Sequence, residues 1–168
     1  VMELHTLGVD GGYVQADVTE LARALTGWTV RPMMNDGYGD RLSKLQQSRL
    51  GKNMATTEGD FLFLAVRHDQ GEKTVLGKKY PSNGGLNEGL EMLHQLATHP
   101  STATFICRKM ATRFVCDTPS ATLVTTMAEV FTKTGGDIKQ TMIAMLNSRE
   151  FWKKEVLRSK IKSPFELV

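Results

Sequence analysis

His5, His68, Asp69 and His99 are the residues best suited by type to catalysis or metal binding. Imidazole and carboxylate exchange protons near neutral pH and ligate transition metals. Their spacing limits what any one element can do. Glu3 and His5 are two residues apart, so on a helix their side chains diverge by ~200° and cannot face one ion together. His68 and Asp69 are adjacent and point to opposite faces of a strand. A metal site would have to gather His5, His68 and His99 with a carboxylate from separate elements. The competing reading is architectural: His99 caps a helix, His68 and Asp69 shape a turn, His5 fills a polar gap, and His94 lies on a helix surface. Asp10, Asp17 and Asp137 complete the set of notable acids, at turns and helix starts. No nucleophile elbow, phosphate loop or zinc-spaced pair occurs. The glycine-rich run Gly8 to Tyr13 reads as a turn, and no cofactor follows from the sequence.

Arg108, Lys109 and Arg113 form the other candidate group, for an anion or for ion pairs. Lys109 and Arg113 are helical neighbours at i,i+4, while Arg108 points elsewhere. A buried Arg108 would need a carboxylate, with Glu91, Asp117 and Glu129 as possible partners. Between Arg149 and Lys162 stand six basic and two acidic residues, a local net of +4. Such a run could meet phosphate, but a solvated helix face is the simpler reading. With a formal net charge of +3, the chain as a whole gives little support to nucleic-acid binding.

These residues depend on elements that the hydrophobic pattern sets out. The central one is the helix from His99 to Pro119. Pro100 suits its first turn, and Pro119 marks the next helix. Ala103, Ile106, Cys107, Met110 and Phe114 make one stripe, with Phe105 and Cys116 roughly opposite, so the helix should pack between neighbours. Cys107 and Cys116 are nine residues apart, ~13.5 Å along a helix at 1.5 Å per residue, beyond the roughly 7 Å that a disulfide spans. Two free thiols are expected.

Val1 to Leu7 reads as a helix end. A helix follows over about Gln15 to Thr26, with Val18, Leu21, Ala22 and Leu25 on one face, and Trp28 to Val30 starts a strand. Phe61 to Tyr80 reads as two strands around a turn at Asp69 to Gly71. Leu86 to Ala97 is helical, with Leu86, Leu90, Leu93 and Ala97 in line. A further helix starts at Thr118-Pro119 with Leu123, Met127, Val130 and Phe131 inward and Gly135 as its stop. Asp137 opens the last, with Gln140 three residues on and Ile138, Met142, Met145 and Leu146 as its stripe.

The fold class is therefore mainly α: a bundle-like single domain of about five to six helices, with a small β-hairpin at about residues 61–80 packed against it. The 168 residues and 40% hydrophobic content allow one normal core. Residues 31–60 lack a strong pattern and read as a poorly ordered insertion. No apolar run approaches the ~18–20 residues of a membrane span. Both ends look truncated, so the chain reads as a fragment of something longer.

Six stretches carry a resemblance: ELHTLGVDGGY (Glu3 to Tyr13), ADVTELARALTGW (Ala16 to Trp28), HDQGEKTVLG (His68 to Gly77), HPSTATFICRKMATRFV (His99 to Val115), GDIKQTMIAMLNSREFW (Gly136 to Trp152) and KIKSPFELV (Lys160 to Val168). In this order they resemble the domain-of-unknown-function 1800 family of bacterial proteins. The resemblance implies a longer protein of which this is a C-terminal part. It also implies export to a periplasmic or cell-surface setting, with another exported protein as the partner to test, since the genes often adjoin those of a second exported family. It brings no catalytic residues. Where the family usually has Ser or Thr before the second helix, this chain has Val14; losing such a cap costs ~1 kcal/mol. Two functions are then expected in order: a non-enzymatic helical scaffold or protein-binding domain, or part of a metal-dependent or hydrolase-like enzyme whose site combines His and Asp residues with the missing N-terminal portion.

Overall fold

A computed structural model describes residues 1–30 and 55–157. The insertion expected at 31–60 lies outside these residues except for its end, where 55–58 form a strand; the basic tail beyond Leu157 lies outside them too. The mainly helical class holds. Contacts divide the chain into two compact units, Val1–Gly12 with His94–Val168, and Tyr13–Leu93.

The Tyr13–Leu93 unit begins with α1 (Gln15–Ala24). Valine cannot cap its start. Instead the Asp17 carboxylate reaches back and accepts the Val14 N–H at 2.8 Å, while its other oxygen accepts the Leu76 N–H at 2.7 Å. Strands β1 (Trp28–Val30), β2 (Ala55–Glu58) and β3 (Phe61–Leu64) form an antiparallel sheet with β3 in the middle. Strands β4 (Lys73–Val75) and β5 (Lys78–Tyr80) form a separate hairpin. The two strands expected around Asp69 to Gly71 thus pair with other partners rather than with each other. The reason is local: β3 runs into a 3-10 turn, Ala65–Arg67, which turns the chain before Lys73. Gly27, at φ +82°, makes the connection from α1 to β1 possible, because a Cβ there would lie 2.6 Å from the Leu64 carbonyl oxygen.

Helix α2 (Gly85–Ala97) continues past Leu93. Its buried face is not the leucine line expected. Leu90 is 49% exposed, whereas Glu88 is 3% exposed and Met92 and Leu96 are fully buried.

The other unit starts with a π-helical turn, Met2–Leu7, and then holds α3 (Pro100–Phe114), α4 (Ala121–Lys133) and α5 (Ile138–Leu146). Its core joins Ala103, Cys107, Ala111 and Val115 of α3 and its end to Leu123, Val124, Met127 and Phe131 of α4 and to Met145 of α5. Helix α3 packs against both α4 and the π-helical turn, as its two apolar faces require. The buried stripe is rotated from the expected one: Phe114 is 51% exposed, and Ala111 and Val115 take the inner positions. On α5 the inward residues are Thr141 and Met145, with Ile138 and Leu146 mostly outside. Asp137 caps α5 through the Gln140 N–H, and Ser120 caps α4, which therefore starts two residues later than the expected Thr118-Pro119. Both cysteines are free.

Candidate functional site

The densest chemistry lies in the Tyr13–Leu93 unit, where α1, the turn after β3, strand β4 and helix α2 meet. The 3-10 turn delivers His68 and Asp69, the first strand of the hairpin delivers Lys73, and α2 delivers Glu88. Lys73 and His68 have side chains 0% exposed, and that of Glu88 is 1% exposed.

Lys73 is held on three sides. Its ammonium donates to the Asp69 carbonyl at 2.6 Å and the Gly71 carbonyl at 2.9 Å, and it lies 2.7 Å from Glu88 Oε1. The last contact is an ion pair without hydrogen-bond alignment, so both Glu88 oxygens lack a hydrogen bond among the described residues. His68 Nδ1 lies 3.0 Å from the Thr26 carbonyl oxygen. A carbonyl only accepts, so Nδ1 carries the proton. Nε2 then faces Glu88 Oε1 at 3.6 Å, and it too has no hydrogen-bond partner there. A lysine, a glutamate and an imidazole therefore share one water-excluded space.

Asp69 belongs to the half-exposed rim of the same cluster. Its carboxylate accepts from Arg23 Nε at 2.9 Å and Arg23 Nη2 at 3.0 Å, and from the Gly71 N–H at 2.9 Å. The Arg23 guanidinium beside it, then the Gly71 N–H, hold this carboxyl well below the usual carboxylate range. Arg23 in turn is raised above its ordinary value by Asp69 and by Glu20, whose two oxygens both lie 2.9 Å from Nη1. Thr26 ties the rim to α1: its hydroxyl donates to the Arg23 carbonyl at 2.6 Å and accepts the Asp69 N–H at 2.8 Å.

The remaining candidates are elsewhere. His5 is exposed on the π-helical turn of the other unit. His99 caps α3, its Nδ1 accepting the Ser101 N–H at 3.1 Å. His94 is exposed on α2. Arg108 is exposed and needs no buried carboxylate. Lys109 lies over the Phe105 ring, 4.5 Å from its centroid, and donates to the Leu4 carbonyl at 3.1 Å. Arg113 is also exposed. Among the described residues, no group of three or more His, Cys, Asp or Glu side chains is placed to hold a metal ion. His68 and Asp69 thus join one cluster, and His5 and His99 fall in the other unit.

Lys73, Glu88 and Arg23 were missed by the sequence reading. The signal for Glu88 was present: it stands four and eight residues before Met92 and Leu96, on the helical face that is buried. The signal for Lys73 was its place inside the HDQGEK stretch.

The model of a family described as proteins of unknown function, DUF1800, matches residues 1–168, the whole chain. The chain belongs to this family. No curated protein and no solved structure matches it. The family match spans both units, so the buried Lys73–Glu88 pair and the α3–α4 core both lie within the matched residues.

Proposed function

We propose that the chain is a non-enzymatic helical scaffold or protein-binding domain of an exported bacterial protein. One observation carries the reading: the side chains with the chemistry of a site are engaged in holding their own unit together. His99 caps a helix, Asp69 is clamped by Arg23, and Lys73 ties the hairpin to α2 through Glu88. Apolar residues on the surface, Ile143, Leu146, Trp152 and Leu157 at and beyond α5, supply contact area for another protein. The test is affinity capture by the full-length exported protein of the product of the neighbouring exported gene. The expected result is a complex that survives His68→Gln and His99→Asn but is weakened by Trp152→Ala. The reading fails if no complex forms and the purified protein instead carries stoichiometric zinc, iron or manganese.

The buried Lys73–Glu88–His68 cluster favours a second reading, in which this chain supplies part of an enzyme site completed by other portions of a longer protein. Hydrolytic activity lost in Asp69→Asn at unchanged folding would favour it.

A further inference from the structure

A second feature, in the other unit and independent of the scaffold reading, points to a ligand. The first two turns of α4 and the segment after α5 flank an open surface cleft of about 560 Å³. That volume lies within the range of small-ligand sites. Glu150, in the segment after α5, closes one end: it accepts the Ser120 N–H at 2.9 Å and a short hydrogen bond from the Ser120 hydroxyl. Two N–H groups at the start of α4 thereby have partners: Glu150 accepts that of Ser120, and the Ser120 hydroxyl oxygen accepts that of Leu123. Burial alone would raise the Glu150 carboxyl, but the two Ser120 hydrogen bonds and the nearby Lys153 charge outweigh it and hold it below its usual range.

What the cleft has left to offer is positive charge. Arg149 and Lys153 both line it and both are exposed, and Lys153 also acts on Glu150 through its charge. Thr122 adds a hydroxyl, and Leu123 with the aliphatic stems of Arg149 and Lys153 adds apolar surface. Glu150 keeps its negative charge while it is hydrogen-bonded to Ser120, so the three charged side chains that line the cleft leave it a net of +1.

We infer that this cleft binds a carboxylate on a short aliphatic stem, held by Arg149 and Lys153 beside the docked Glu150. The chemistry is that of a glutamate side chain, and it has two sources: a free dicarboxylic acid or an acidic peptide segment. A planar guanidinium suits bidentate carboxylate contacts, and the ammonium adds a point charge.

The test is titration of the full chain with glutarate at low ionic strength, followed by amide NMR. Saturable shifts are expected at Thr122, Thr126 and Ser148. The double variant R149A/K153A should bind about tenfold more weakly, as expected for two exposed charge contacts, with an unchanged melting temperature because both side chains are exposed. Glutarate and a capped tetraglutamate peptide are then compared; whichever binds more tightly supports the site and names its source. Absence of saturable shifts with both probes overturns the inference, and so does equal affinity of the double variant. Capture of the neighbouring-gene product tests the scaffold reading separately, so each idea fails on its own experiment.

Discussion

The Lys73–Glu88 pair makes the most exacting prediction. Its side chains are 0% and 1% exposed and 2.7 Å apart. Replacing Lys73 by Met leaves the Glu88 carboxylate buried without a counter-charge, a loss of about 3–5 kcal/mol. It also removes the donor from two backbone carbonyls, those of Asp69 and Gly71, adding about 1 kcal/mol for each hydrogen bond. Lys73→Met should therefore cost about 5–7 kcal/mol. Glu88→Leu strands the ammonium but keeps its two carbonyl acceptors, so about 3–5 kcal/mol is expected. The double variant buries no charge, and only the two carbonyls lose a partner, so it should cost about 2 kcal/mol. The singles then overshoot the double by at least ~6 kcal/mol, far outside the few tenths that independent sites show. Total stabilities of ~5–15 kcal/mol make such losses easy to see. The assay is urea unfolding followed by Trp28 fluorescence in a Trp152→Phe background, since these are the two tryptophans of the chain and they fall in different units. If Lys73→Met is too unstable to fold, Lys73→Gln, which keeps an N–H donor, gives a milder Lys73 arm for the cycle. A double variant whose loss equals the sum of its singles refutes the reasoning.

Gly27→Ala should destabilise by about 2–4 kcal/mol, because a Cβ would meet the Leu64 carbonyl oxygen at 2.6 Å in a left-handed backbone; the same Trp28 unfolding curve measures it. His99→Ala should cost about 1 kcal/mol by removing the cap on α3, and His99→Asn should recover most of it; calorimetric melting decides. Asp69 has a folded-state pKa depressed by Arg23, so its stabilisation is complete above the unfolded value of ~3.9 and is lost as pH falls below it. The gap in stability between the wild type and Asp69→Asn should thus shrink as the solution is acidified, and a constant gap would contradict the pairing. Burial pushes the Cys107 thiol up to about 11, so iodoacetamide at mildly alkaline pH should label the half-buried Cys116 well before Cys107 in the native protein, as peptide mass spectrometry would show.

The α3–α4–α5 unit was legible because its information is local. Pro100, Gly135 and Asp137 punctuate the helices, and the cap at His99 follows from one side chain and the next turn. The errors there were rotations of a face. Phe114 and Ile138 were placed inside because large apolar residues were assumed to outrank small ones, yet Ala111 and Thr141 take the inner positions, where helices approach closely. The Tyr13–Leu93 unit was harder to read because its organising contacts are polar and long-range. Arg23 and Asp69 are 46 residues apart, and Asp17 and Leu76 are 59 apart. A pattern that counts charged residues as outward must reject Glu88 from the buried face of α2, and so it selects Leu90 instead.

The placement of that polar cluster bears on function as well. A buried ion pair contributes little net stability over a well-packed apolar replacement, but it penalises any arrangement that separates its members. Strands β4 and β5 are only three residues each, and the two-residue turn at Leu76 and Gly77, both at positive φ, sets their register. Lys73 fixes how that hairpin sits on α2. Its ammonium finds the Glu88 carboxylate and two carbonyl acceptors in the observed arrangement; shifted by one residue, the side chain would point to the other face of the hairpin and leave Glu88 buried alone. Thr26 and Arg23 do the same for the turn that carries Asp69. The cluster therefore fixes which hairpin face meets α1 and α2, a role that fits the scaffold reading and accounts for a lysine where packing alone would favour an aliphatic side chain.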